Sequence, residues 1–239
     1  MGFAWRIVPY KFPLVMGNEF VGEIEKVGAG VSRYSVGDRV YGRMPLTKIG
    51  AFAEYASIHQ NAIAKVPDYL SDEEAACVPL TALTALQAFE LMKPKSGETI
   101  FISGGTGSLG AMAIPVAKSY GLTVITNGSA ANKDCVLALG ADRFIDYKTE
   151  DYAEVLADVD YVLDTLGDRE LPKEFAILKN GGKLVSLRGM PDGLRVVCAG
   201  LDNDPEKIGK HMLEMLAKFR NEGLFDIGVS DDELNRDLM

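Results

Sequence analysis

The chain has 239 residues, of which 47% are hydrophobic and 25% charged, with a formal net charge of -9. That is enough apolar content for a packed core and length for one large or two small domains, and two are expected. The acidic balance excludes nucleic acid and anionic membrane as expected partners, because phosphate binding on that scale needs clustered Lys and Arg.

From 20 to 66 the chain runs through short β-type segments broken by glycine, "FVGEIEKVG", "VGDRVYG", "AFAEYASI" and "AIAKV", the texture of a small all-β unit. At Ser71 this changes: with Glu74 three residues on it forms a capping box, and an Ala- and Leu-rich stretch to Leu91 follows at helical spacing. Pro79 is expected to kink or split that helix. The domain boundary is placed in this connection.

After Lys95, β and α segments alternate. Strands are expected at 99–103, 122–126, 143–146, 161–164 and 183–187, and helices at 108–120, 131–139 and 170–178. This alternation predicts a doubly wound parallel sheet. Asp204 with Pro205 marks a further helix start and Gly223 its stop, with Ile208, Met212, Met215, Leu216 and Phe219 on one face.

No apolar run approaches a bilayer span, and the opening "MGFAWRIVPYKF" lacks the regions of a signal peptide, so a cytoplasmic location is expected. Cys77, Cys135 and Cys198 are scattered and read as reduced, structural thiols.

Gly105, Thr106, Gly107, Ser108, Leu109 and Gly110 fit the pattern G-x-G-x-x-G. Alone the pattern also serves ordinary turns, but here it leaves a strand and opens a helix, so its amides and the positive helix end converge on a diphosphate. NAD-selective folds carry Asp or Glu about 20 residues further on, at the ribose 2'-hydroxyl. That place reads Asn127, Gly128, Ser129, with no carboxylate before Asp134. Lys133 reads either as a partner of a 2'-phosphate, with Ser129 as donor, or as a solvated helix lysine. The missing acid favours the first, and NADP(H) as cofactor.

With "GNEFVGEIEKVG", "VGDRVYG", "AFAEY", "LSDEEAACVPLTALTALQAF" and "GGTGSLG" in this order, the chain resembles the medium-chain dehydrogenase/reductase superfamily, and within it the quinone oxidoreductase-like branch. The resemblance implies an α/β fold, a Rossmann sheet preceded by a partial GroES-like β domain. The expected division is 1–92 for the β domain and connecting helix, 93–229 for the NADP-binding domain and 230–239 for a tail. It also implies cofactor contacts at Ser129, Lys133, Tyr147, Thr165, Leu166, Ser186 and Leu187, and puts Thr84 near the nicotinamide. Thr84 otherwise reads as a helix-packing hydroxyl.

Relatives that bind catalytic zinc carry Gly-His-Glu where this chain has Gly17, Asn18 and Glu19, and a cysteine where it has Leu80. Two ligand positions are lost, so no metal is expected. Oxidation of an unactivated alcohol then lacks its Lewis acid, whereas a quinone or α,β-unsaturated carbonyl needs only hydrogen-bond donors on the developing enolate. Asn18 and Thr84 are the candidate donors, Asn18 reading equally as a loop brace. The expected activity is NADPH-dependent reduction of a quinone or enone. The alternatives are an NADP-dependent alcohol dehydrogenase and a non-catalytic NADPH-binding protein.

The family's first strands and its final return into the β domain have no counterpart in the chain, so a truncated relative, a fragment or a partner-dependent chain is expected. A homodimer through the sheet edge at 194–199 is a further expectation.

Overall fold

The computed structural model describes residues 11–45, 48–167, 170–187 and 195–198. Strands β1 (Glu19–Glu23), β2 (Arg39–Arg43) and β3 (Ile63–Lys65) form an antiparallel sheet in the order β1-β2-β3. Val21 stands opposite Tyr41, and Val40 opposite Lys65. The segment "AFAEYASI", expected as a strand, is not one. Its start crosses a single turn of chain, with the Gly50 and Ala51 amides donating to the Gly17 carbonyl and the Phe52 amide to that of Met16, and no ladder continues from there.

The connection begins at the expected capping box: the Ser71 hydroxyl accepts the Glu74 amide at 3.1 Å and the Glu74 carboxylate accepts the Ser71 amide at 2.9 Å. Helix α1 (Asp72–Ala76) stops ahead of Pro79, which starts α2 (Pro79–Met92) in the first turn, where the missing N–H costs nothing. Ala85, Ala88, Phe89 and Met92 of α2 pack on Ile100, Ile102 and Ile114 in one core cluster. The helical connection is thereby anchored to the second sheet.

That sheet contains β4 (Thr99–Ser103), β5 (Thr123–Gly128), β6 (Arg143–Asp146), β7 (Val159–Asp164), β8 (Leu178–Ser186) and β9 (Arg195–Cys198), in the order β6-β5-β4-β7-β8-β9. The first five are parallel; β9 runs antiparallel to β8. The expected doubly wound parallel sheet is present in β4–β8, and the edge strand β9 is antiparallel because the stretch between β8 and β9 is too short for a crossover. Between the strands lie α3 (Ser108–Ser119), α4 (Lys133–Ala138), α5 (Tyr152–Val155) and α6 (Leu171–Ile177).

Two apolar clusters lie on the two faces, one around Phe89, Ile100 and Ile114, the other around Phe101, Tyr152 and Ile177. The order of strands reverses across β4, whose neighbours are β5 and β7. Ligands of open α/β sheets bind above the strand C-termini at such a point. The helix expected from 205 and the tail fall outside the described residues.

Candidate functional site

Strand β4 ends at Ser103 and the glycine turn begins at once. Gly104 has φ +77°, a left-handed conformation that glycine adopts without strain. Its amide donates to the Asn127 side-chain oxygen at 2.7 Å, and the Gly107 amide returns to the Gly104 carbonyl at 3.0 Å. A Cβ at Gly105 would lie 1.8 Å from Thr126 Oγ1, and one at Gly110 would lie 2.4 Å from the Gly104 carbonyl oxygen. At Gly128, on the end of β5, it would lie 2.3 Å from Thr106 Cγ2. No side chain fits at these three places, so bare main chain lines the elbow between β4 and α3. Those amides and the N-terminus of the twelve-residue α3 suit a diphosphate.

A cavity of about 570 Å³ opens beside the elbow, with Gly104, Thr106, Asn127 and Gly128 on one wall and Tyr147, Lys148 and Thr149 on another. Lys173 and Glu170 close a third side. Lys173 is held by Asp151 at 2.6 Å, a contact that lowers the carboxyl's pKa and raises the ammonium's. Burial, with a hydrogen bond to Glu170, pushes the Tyr152 hydroxyl far above its ordinary value, so it stays protonated and donates to Glu170.

The far wall comes from β7. The Asp164 carboxylate accepts the amides of Leu166 and Gly167, both at 2.8 Å, and the Ser186 hydroxyl at 2.5 Å. The Thr165 hydroxyl donates to the Ser103 carbonyl at 2.7 Å, and the Leu187 amide to the Asp164 carbonyl. Thr165, Leu166, Ser186 and Leu187 thus meet in one hydrogen-bonded unit at the strand C-termini, and Leu166 lines the cavity.

The segments that carry the two candidate donors, Asn18 and Thr84, meet at Leu80. Glu19 accepts the Leu80 amide at 2.8 Å, and the Thr84 hydroxyl donates to the Leu80 carbonyl at 2.6 Å. Asn18 is exposed beside Glu19, and its own carbonyl accepts the Met44 amide at 2.7 Å. Burial pulls the Arg43 guanidinium below its ordinary pKa, while Glu19 acts the other way. The hydroxyl proton of Thr84 is engaged within its own helix, which is the packing arrangement considered above. The positions where zinc-bearing relatives keep His and Cys are here an amide and an apolar side chain, a donor set that does not fit zinc. Among the described residues no group of three His, Cys, Asp or Glu is placed to hold a metal ion.

Thr106, Tyr147 and Leu166 line the cavity, whereas Ser129 and Lys133 lie on the segment that follows β5, outside its wall. Asn18 and Thr84 are likewise not on it. Sequence reasoning missed Asn127 as the clamp on Gly104 and Lys148 as a cavity cation. The adjacency of Lys148 to Tyr147 was the available signal.

The family model for the alcohol dehydrogenase GroES-like domain matches residues 3–68, and that for zinc-binding dehydrogenase matches 108–208. The chain is 32% identical to the trans-enoyl reductase himH of Aspergillus japonicus, over 83% of this chain and 67% of that one. The solved quinone oxidoreductase of Coxiella burnetii superposes with a TM-score of 0.74 at 29% identity, covering 93% of this chain and 72% of that one. A mycobacterial protein solved with NADPH superposes with a TM-score of 0.69 at 29% identity, over 84% and 63%. The chain spans from about half to two thirds of the length of the curated relatives it matches.

Proposed function

Since the chain belongs to the medium-chain dehydrogenase/reductase superfamily, in its quinone oxidoreductase-like branch, we propose that it is an NADPH-dependent oxidoreductase that reduces a quinone or α,β-unsaturated carbonyl without a metal. The observation that carries this reading is the elbow of bare main chain at Gly105 and Gly110 beside an open cavity. The turn of Gly105, Thr106, Gly107, Ser108, Leu109 and Gly110 holds the diphosphate by its amides. Ser129, Lys133 and Tyr147 hold the 2'-phosphate end, and the unit of Thr165, Leu166, Ser186 and Leu187 flanks the nicotinamide end.

The bound dinucleotide supplies hydride; the protein supplies position and charge stabilisation. An enone or quinone carbonyl gains negative charge as hydride arrives, and a donor aimed at its oxygen lowers that barrier. Asn18 suits this better than Thr84, because its exposed carboxamide makes no hydrogen bond to another described residue, while Thr84 must first release the Leu80 carbonyl. The trans-enoyl reductase and quinone oxidoreductase relatives support this substrate class, and the NADPH-bound neighbour supports the cofactor.

Cys77 and Cys135, read from the sequence as buried structural thiols, are instead exposed and free, which suits a reducing, cytoplasmic setting. No helix among the described residues is long and apolar enough to cross a membrane. Strand β9 is the sheet edge through which a second copy pairs, and light scattering that finds only monomer removes that part.

Absorbance of NADPH with small quinones and enones tests the main reading. Consumption with these and none with simple alcohols is expected. Turnover of simple alcohols alone favours the dehydrogenase, and tight NADPH binding with no acceptor turned over favours a binding protein.

A further inference from the structure

Under the far wall of the cavity lies a buried acid that the proposed chemistry leaves unused. Glu174, on α6, has no solvent exposure, and neither of its carboxyl oxygens has a hydrogen-bond partner. Ser103 Oγ, at the end of β4, is buried and unpartnered as well. An unpaired carboxylate in such a place is far costlier than a neutral acid. Burial comes first and the Asp164 charge second in pushing the Glu174 carboxyl up to about 8, while the nearby Ser103 hydroxyl, not hydrogen-bonded to it in the structure, acts the other way.

Among the described residues, the groups facing it do not supply a countercharge. From β7 comes Asp164, from β4 Ser103, from the preceding turn of α6 Glu170, and from α5 the Tyr152 hydroxyl, which donates to Glu170. Lys173 reaches away to Asp151, and Lys179 and Lys183 of β8 are engaged by Asp160 and the Met92 carbonyl. Asp164, by contrast, accepts three hydrogen bonds. Of two neighbouring buried carboxyls, Asp164 is tied by three donors and Glu174 by none, which assigns the proton to Glu174.

What Asp164 holds is part of the proposed cofactor site. Its three donors are Leu166, Gly167 and Ser186, and Thr165 ties the same turn to the residue before the glycine elbow. We propose that Glu174 is a proton-carrying positioning residue for the dinucleotide cleft: neutral, it leaves Asp164 free to hold the turn at 165–167 in place, and ionised, it repels Asp164 and loosens that turn. The ligand half of this inference rests on the cofactor reading above; the stability half does not.

The test compares the full chain with Glu174→Gln, an uncharged side chain of the same shape, from about pH 6 to about pH 9.5. Thermal midpoints are read without ligand, and NADPH affinity is read by fluorescence titration. The wild type is expected to lose affinity by up to about tenfold per pH unit once Glu174 ionises, and its midpoint to fall as pH rises toward that point and to level off above it, while Glu174→Gln shows neither titration. Identical pH profiles for the two proteins overturn the inference. If NADPH binds neither protein but their midpoints diverge with pH, the brace stands and the cofactor reading falls. If both bind NADPH with one profile, the reverse holds. Should Glu174→Gln not fold, infrared titration of the wild type decides: a protonated-carboxyl band that persists at neutral pH, disappears above it and moves to lower pH in Asp164→Asn supports the brace. Absence of that band at neutral pH overturns it.

Discussion

The Asn127 side-chain oxygen accepts the Gly104 amide at 2.7 Å, a bond that clamps the end of β5 to the first residue of the glycine elbow. Asn127 is buried and Gly104 half-buried, so an apolar substitute leaves a donor without its protein acceptor. Asn127→Ala is expected to lower stability by about 1–3 kcal/mol, read by denaturant unfolding, and to weaken NADPH binding in the same protein. Unchanged binding alongside the stability loss shows that the clamp serves folding only.

The elbow tolerates side chains unevenly. A methyl at Gly105 collides with Thr126, whose hydroxyl is already committed to the Ile102 carbonyl at 2.7 Å, and one at Gly110 collides with backbone. At Gly107 the nearest atom is 3.4 Å away. Gly105→Ala and Gly110→Ala should each cost about 3 kcal/mol or more, while Gly107→Ala should cost about 1 kcal/mol or less. Calorimetric unfolding separates these, and equal losses at all three positions contradict the packing argument.

The proposed selectivity for the phosphorylated cofactor is assigned to the stretch after β5. Lys133→Ala is expected to weaken NADPH binding by about ten- to a hundredfold and NADH binding by little, as suits loss of a charge-assisted contact. Parallel losses for the two cofactors refute the assignment of Lys133 to the 2'-phosphate.

Glu19 joins the small β unit to α2 by accepting the amide of Leu80, one of the helix's first, otherwise unpaired donors. Glu19→Ala removes that acceptor and the charge opposite half-buried Arg43. A loss of about 1–2 kcal/mol is expected, with Glu19→Gln retaining part of it through its carbonyl. Thermal unfolding of both variants provides the check.

Acidity acts on the fold from two sides. Glu174 starts from 4.5 when unfolded and rises to about 8 when folded, so the folded chain binds a proton that the unfolded chain releases, and stability falls as pH rises through that interval. The slope is up to roughly 1.4 kcal/mol per pH unit. Asp38 and Asp151, lowered first by their bonds to Lys65 and Lys173, lose stabilisation on acidification instead. Unfolding midpoints should therefore peak on the acid side of neutrality, and a maximum near pH 9 contradicts this.

Much of the architecture was legible because period and punctuation agreed. The strands at 99–103 and 143–146 stand at their expected bounds, and Ser71, Glu74 and Pro79 divide the connection as their chemistry requires. "AFAEYASI" alternates like a strand yet leaves Phe52 and Tyr55 exposed, because alternation alone does not reveal whether a partner strand exists. Helix α5 was missed: its four residues are too few to show a period. Glu174 was invisible for a related reason. A glutamate on a short helix rich in charge reads as solvated, and only the crossing of β4, β7 and α6 puts it under the sheet end. The elbow was legible from its glycines; Asn127, its clamp, was not, since nothing local marks an amide as pointing across to another strand.

The crowding of Thr106 against Gly128 bears on redesign. Installing an acid at 128 to turn the chain toward the unphosphorylated coenzyme fails as a lone change, because the methyl of Thr106 already fills that volume. Trimming 106 to alanine or glycine first opens the route, so the two sites must be exchanged as a couple.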